Sequence, residues 1–288
     1  MKRTRIMGLC IVAVCAMFAL TATSALATPG GLEFGKCTAK AGGKFKNSGC
    51  TKNAKTVEEQ KFEWAPLSTA VKFTSLKKLE TGNAVLESIT KTEISCTGQK
   101  ETKEGEYGPG VHEVKNVVGE FSGCAGLGGK CTSATGHGEV DGEIFTNKLH
   151  GEPGVVTPNG LGKEEKNIDG SDLKGQGTEF LAEFSCLGAP VLVKGGVVVK
   201  VKTNKMLNKT EIVFFAEKPG KQNPEVWTPL GSGVTHTAAE HEKITEHLIA
   251  KFGPSPNEFE QSGQSLITIQ KTVGKVKVEL RQCEKNIC

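Results

Sequence analysis

Short segments in which apolar and polar residues alternate recur along most of the chain, and they constrain the fold more than any other feature. In TEFLAEFSC (178–186), alternate residues fall on one face of an extended strand: Phe180, Ala182, Phe184 and Cys186. About ten such segments, rich in β-branched residues and separated by glycine-containing turns, are typical of sandwiches and barrels. The sequence therefore predicts an all-β, antiparallel fold, either a sandwich or a barrel.

Two segments carry additional local signals. Helix-forming residues, with Glu and Lys spaced three or four apart and followed by Gly-Pro, predict one short helix over 238–251. The segments SLITIQKT (265–272) and KVKVELRQ (275–282) flank Val273-Gly274 and predict a β-hairpin. In that hairpin, Val276, Val278 and Leu280 would face inward.

The first 27 residues are organised like a secretory signal peptide. Lys2, Arg3 and Arg5 precede an apolar stretch, and small residues end at Ala25-Leu26-Ala27. The stretch from Ile6 to Leu20 is shorter than the roughly 20 residues that span a bilayer, and no later apolar segment is long enough. We therefore expect cleavage after Ala27, an extracellular protein, and no transmembrane segment in the processed chain.

The net charge of the chain belongs mostly to this leader. The whole chain carries 36 lysines and arginines against 32 aspartates and glutamates, a formal charge of +4. Loss of the three basic leader residues reduces the charge to +1. The processed chain then has no basic field that would attract nucleic acid, so we expect no nucleic-acid partner.

The cysteines indicate a disulfide-stapled protein. Of ten cysteines two lie in the leader, and an even number of the remainder in an exported chain is typical of disulfide bonds. Proximity in sequence favours the pairs Cys37–Cys50, Cys124–Cys131 and Cys283–Cys288, and the elimination of these leaves Cys96 with Cys186. Other pairings stay open. We divide the chain into the signal peptide (1–27), a polar, disulfide-clipped N-terminal arm (28–60) and a β domain (61–288) of one or two units.

Two sets of residues are candidates for ligand contact. On the predicted helix, His236, Glu240 and His247 share one face and have side chains that bind zinc, so they form the candidate metal site. Trp64 and Trp227 each precede a proline turn; if exposed they would offer stacking surfaces to a ligand, and if buried they would cap the core. No catalytic or cofactor-binding motif is found, so the sequence assigns no catalytic residue and no cofactor.

Several segments carry a resemblance to other proteins. FSGC, KCTS, GEIFTNKLHGE, VFFAEKPGKQNPEVW and FEQSG resemble a group of uncharacterised exported proteins of soil actinobacteria. The likeness covers most of the chain from Phe73 to Cys288. It implies export and a β fold, and it implies no activity.

These observations favour a secreted β protein that is not an enzyme. Such a protein would bind a ligand, or it would form part of the cell surface or the extracellular matrix. Two alternatives stay open: a secreted hydrolase with an unrecognised acid/base site, and a metal-binding module.

Overall fold

The computed structural model describes residues 32–78, 82–100, 105–108, 114–134, 139–156, 168–214, 216–218, 220–223, 226–229, 244–254 and 258–282. Strands dominate this part of the chain, and the only helical segments in it are two 3₁₀ turns, Val57–Glu59 and Val273–Lys275. The strands in chain order are β1 (Leu32–Ala39), β2 (Phe62–Pro66), β3 (Val71–Lys77), β4 (Ala84–Ser88), β5 (Glu93–Gln99), β6 (Gly105–Tyr107), β7 (Val114–Val117), β8 (Glu120–Gly126), β9 (Gly129–Ser133), β10 (Glu143–Phe145), β11 (Leu149–Val156), β12 (Ile168–Gly175), β13 (Phe180–Cys186), β14 (Ala189–Gly195), β15 (Val197–Val201), β16 (Lys209–Phe214), β17 (Ala216–Lys218), β18 (Lys221–Gln222), β19 (Val226–Pro229), β20 (Ile244–Thr245), β21 (Leu248–Phe252), β22 (Glu260–Thr272) and β23 (Glu279–Gln282).

The strand pairings are all antiparallel, and they close two rings. The first ring runs β22-β3-β6-β7-β11-β12-β15-β16 and returns to β22. The second runs β22-β4-β5-β8-β9-β13-β14-β21 and also returns to β22. The 13-residue strand β22 belongs to both rings. Because β7 leads into β8 and β14 into β15, the two rings are the two halves of one eight-stranded barrel with further strands outside it.

A glycine pair carries one strand from the second ring into the first. Gly195 ends β14 with a φ of +95°, and the carbonyl oxygen of His247 fills the place that a Cβ would need. Only glycine combines a positive φ with so close a backbone approach. Gly195 and Gly196 therefore let the chain pass from β14 of the second ring into β15 of the first ring.

A separate three-stranded sheet, β2-β1-β23, covers the end of the first ring, and we call it the lid sheet. Leu32 of β1 and Leu280 of β23 pack with Val155 of the barrel. The Asn204 side chain donates a hydrogen bond to the Leu280 carbonyl at 2.7 Å and accepts one from the Leu280 amide at 2.9 Å. The predicted polar arm thus contributes β1 to the lid sheet, and its disulfide Cys37–Cys50 is confirmed.

The other predicted disulfide pairs are wrong where the structure describes them. Cys96 pairs with Cys124, and Cys131 pairs with Cys186, so neither Cys124–Cys131 nor Cys96–Cys186 forms. Cys283 and Cys288 lie outside the described residues.

The reason for this pairing is a row of four cysteines at one level of the second ring. Cys96 stands opposite Cys124 and Cys131 stands opposite Cys186. Gly142 lies between Cys124 and Cys131, because its carbonyl accepts a hydrogen bond from the Cys124 amide and its amide donates one to the Cys131 carbonyl. A bridge between the middle two would leave the outer two three strand spacings apart, about 14 Å. Because a disulfide joins Cα atoms at most roughly 7 Å apart, only the two outer pairings use all four thiols.

Two local predictions are also wrong. The predicted helix over 238–251 is not formed in its described part, where β20 and β21 occupy 244–245 and 248–252; residues 238–243 lie outside the described part. The predicted hairpin fails because β23 pairs with β1 of the lid sheet, while β22 pairs within the barrel. Among the described residues, no helix has the length and apolar character needed to cross a membrane.

Candidate ligand-binding cavity

The barrel encloses a cavity of about 250 Å³. Its wall comes from both rings, and the lid sheet contributes Phe34 and Leu280. Most of the lining side chains are apolar, among them Leu86, Val117, Leu149, Leu173, Val193, Val199, Ile212, Leu248 and Leu266. The cavity is therefore an apolar chamber that extends through both halves of the barrel.

The cavity exists because several inward positions carry small side chains. An eight-stranded barrel is just wide enough to be filled by side chains, or to hold one small ligand when they are short. Here Ser75, Ala84, Ser171, Ala182 and Thr210 line the interior. These residues leave volume that larger aliphatic side chains would occupy.

Aromatic rings and sulfur atoms pack around the cavity at different levels. In the first ring, the Tyr107 ring lies between Phe34 of the lid sheet and Phe73, with centroid separations of 4.7 Å and 4.4 Å. In the second ring, the buried disulfides Cys96–Cys124 and Cys131–Cys186 belong to the apolar core. The lid sheet therefore packs against the wall of the first ring, and the disulfides cross-link the wall of the second ring.

Three polar side chains in the wall have atoms that are shielded from solvent and have no hydrogen-bond partner among the described residues. These atoms are Oε1 of Gln99, Oε1 and Nε2 of Gln264, and Oγ1 of Thr268. By contrast Gln270, on the same strand, accepts a hydrogen bond from the Tyr107 hydroxyl at 2.7 Å. An apolar chamber with a few polar groups is the usual composition of a small-molecule site.

A buried lysine lies next to this wall. Lys77 is 6 % exposed, stands opposite Thr268 in the β3–β22 register, and donates a hydrogen bond from Nζ to the Thr97 carbonyl at 2.8 Å. In the described part of the chain, Lys77 does not line the cavity. This hydrogen bond links the end of β3 to β5, at the level in the barrel where β4 replaces β3 as the neighbour of β22.

The two tryptophans proposed as ligand contacts are both buried. Trp64 is 4 % exposed and packs with Phe45 and Met206 on the lid sheet. Trp227 is 1 % exposed and packs with Val156 and other apolar residues where β19 covers the outside of the barrel. Neither indole is a stacking surface, and both complete packing layers outside the cavity.

The candidate metal site is not assembled in the described residues. His247 lies between β20 and β21, and its Nδ1 is 3.2 Å from Nε2 of Gln261. His236 and Glu240 fall outside the described residues. Within the described part of the chain, no three His, Cys, Asp or Glu side chains come together as metal ligands.

A second polar cluster lies on the outer face of the barrel. Lys174 Nζ contacts Asp172 at 3.0 Å and Glu246 at 2.5 Å. Asp172 Oδ1 and Glu246 Oε2 both lie within 2.7 Å of the point where a Cβ on Gly196 would stand. Burial, and secondarily the charge of Glu246, raises the pKa of Asp172 to about 7, whereas Lys174 opposes this shift.

This cluster fixes an outer segment to the barrel. Gln222 donates hydrogen bonds to the carbonyls of Gly196 at 3.0 Å and of Glu246 at 2.7 Å, and accepts one from the Val198 amide at 3.1 Å. Asp172 is only 3 % exposed, so a substrate has no access to this carboxyl group. The cluster therefore attaches the β20–β21 segment to the barrel.

The sequence did not reveal the cavity residues. Ser75, Ala84, Ala182 and Gln264 lie on four different strands, and each belongs to an ordinary alternating segment. The available signal was the small or polar residue at an inward position of a strand. A small or polar residue at such a position indicates a cavity only when the folded barrel brings several of these positions together.

No protein-family model matches this sequence, no curated protein matches it, and no solved structure matches its fold.

Proposed function

We propose that the protein is a secreted, non-enzymatic binding protein that holds one small, mainly apolar molecule inside its barrel. The observation that carries this proposal is the apolar cavity of about 250 Å³. Closed eight-stranded barrels can hold one small ligand in this way. Burial of apolar surface would supply most of the binding free energy.

The volume sets the scale of the ligand. A dry cavity of about 150 Å³ lined by apolar side chains accommodates benzene, so the present cavity suits a molecule on the order of 10 non-hydrogen atoms. A bicyclic aromatic hydrocarbon such as naphthalene has this size. Naphthalene is therefore a suitable probe, and its own fluorescence reports its transfer from water to the barrel.

The disulfides and the leader of the protein support export. The three described disulfides are compatible with an oxidising compartment, and the leader has the organisation of a secretory signal. Outside the cell, a ligand enclosed in a disulfide-stapled barrel would be shielded from water. Surface or matrix attachment of the same protein is compatible with this function.

Filling the cavity should weaken binding without unfolding the protein. Ala182 lines the cavity on β13, and Ala182→Leu would place three further carbon atoms in it. We expect the affinity for naphthalene to fall by roughly tenfold or more, while the free energy of unfolding changes by less than about 1 kcal/mol, because the added atoms enter free volume. Fluorescence titration and urea denaturation measure the two quantities.

Ala125→Leu is the matched control. Ala125 is exposed on β8, on the outside of the same barrel. The control variant should bind naphthalene like the wild type. Equal affinities for Ala182→Leu and the wild type would place the bound molecule outside the cavity and contradict the proposal.

A further inference from the structure

Gln264 is the most unusual residue of the cavity wall. It lies on β22, opposite Leu86 in the register with β4 and two residues before Leu266, and all three residues line the cavity. Both polar atoms of its amide are shielded from solvent and unpartnered among the described residues. A buried polar group without a partner is uncommon in folded proteins, because its desolvation is not compensated.

The amide of Gln264 carries a donor and an acceptor side by side, and rotation about its side-chain bonds would direct both into the cavity. Nε2 donates and Oε1 accepts, and a partner that carries both functions on one edge can make two hydrogen bonds at once. A lactam, a primary amide or a neutral carboxylic acid has such an edge. We propose that the ligand of the barrel is a small uncharged amphiphile, with an apolar body in the chamber and a donor–acceptor edge that pairs with Gln264. This inference rests on the proposed function.

The other unpartnered atoms favour an uncharged ligand. Oε1 of Gln99 and Oγ1 of Thr268 belong to neutral side chains. A charged group in this chamber would lose its hydration and would need an opposite charge to compensate. Lys205 and Lys209 also line the cavity, but both are exposed to solvent. The buried cation next to the wall, Lys77, is bonded to the Thr97 carbonyl.

Four probes of similar size separate the contributions to binding. Naphthalene has only the apolar body, quinolin-2-one adds the donor–acceptor edge, and N-methylquinolin-2-one keeps the acceptor but lacks the donor. The wild type should bind quinolin-2-one roughly tenfold more tightly than N-methylquinolin-2-one. The anion 2-naphthoate should bind more weakly than quinolin-2-one.

The variant Gln264→Met removes the amide and nearly preserves the side-chain shape. We expect it to bind quinolin-2-one roughly tenfold more weakly than the wild type and to bind naphthalene at least as well. Gln261→Met is the matched control, because Gln261 lies on the same strand but is not among the residues that line the cavity in the described part of the chain. The control should preserve the preference for quinolin-2-one over its N-methyl derivative.

The outcomes distinguish this inference from the proposed function. If no probe binds the wild type, the proposed function itself fails. If naphthalene binds but quinolin-2-one and its N-methyl derivative bind equally, or if 2-naphthoate binds most tightly, the inferred ligand class is wrong. The comparison of probes on the wild type decides this even if Gln264→Met does not fold.

Discussion

Removal of the Cys131–Cys186 disulfide, with both residues changed to alanine, is expected to lower the free energy of unfolding by about 4 kcal/mol. The bridge closes a sequence separation of 55 residues, and without it the unfolded chain regains the corresponding conformational freedom. Both cysteines are fully buried in the core of the second ring, so their removal also weakens packing. The melting temperature should fall by roughly 8–16 °C.

Two measurements accompany this prediction. The alanine pair at Cys37 and Cys50 is the matched control, since that bridge spans 13 residues and should contribute about 3 kcal/mol, less than the longer one. Peptide mapping of the unreduced protein should find Cys96 with Cys124 and Cys131 with Cys186. A peptide pair joined through Cys124 and Cys131 would contradict the row of cysteines described above.

Replacement of Asp172 by asparagine should change how stability depends on pH. Burial raises the pKa of Asp172 from 3.8 to about 7 in the folded protein. When the pH lies between these two pKa values, Asp172 holds a proton in the folded state that it has released in the unfolded state. The stabilisation from this group is therefore complete below about pH 4 and is lost as the pH rises through 7, by up to about 4 kcal/mol.

The asparagine variant has no proton to lose at this position. From pH 4 to pH 8, its free energy of unfolding should improve relative to the wild type by up to about 4 kcal/mol. Urea denaturation at a series of pH values measures this difference. Asp141→Asn changes an exposed carboxylate and should leave the pH profile of the wild type unchanged. Parallel profiles for Asp172→Asn and the wild type would contradict the assignment.

The alternating segments allowed much of the barrel to be predicted. In 178–186, Ala182, Phe184 and Cys186 face the core as their spacing indicates. Leu181, which interrupts the pattern, is buried because the register of β13 and β14 shifts between Phe180 and Ala182. A local irregularity in the sequence thus corresponds to a bulge in the sheet.

The predicted helix shows how long-range contacts override local preference. Residues 248–252 alternate between buried and half-buried positions, and β21 pairs with both β14 and β22. Leu248, Ala250 and Phe252 belong to the barrel core. Helix-forming residues upstream of this segment gave the stronger local signal, but the barrel needs a strand here to close its second ring.

The disulfide pairing could not be obtained from spacing along the chain. Cys124 and Cys131 are close in sequence, on the two strands of the β8–β9 hairpin, yet each bonds across to a different strand. The choice depends on where β5 and β13 lie, which is a property of the closed barrel. The cavity depends in the same way on small side chains from strands that are distant in sequence.

A crystal of the protein pressurised with xenon tests the chamber most directly, because xenon occupies apolar cavities of this size and is readily located by its scattering. We predict xenon within the barrel, in contact with the apolar side chains that line the cavity, such as Leu86 and Leu248, and a loss of occupancy in Ala182→Leu. A barrel interior without xenon, filled instead by its own side chains, would contradict the proposal that the protein binds a ligand there.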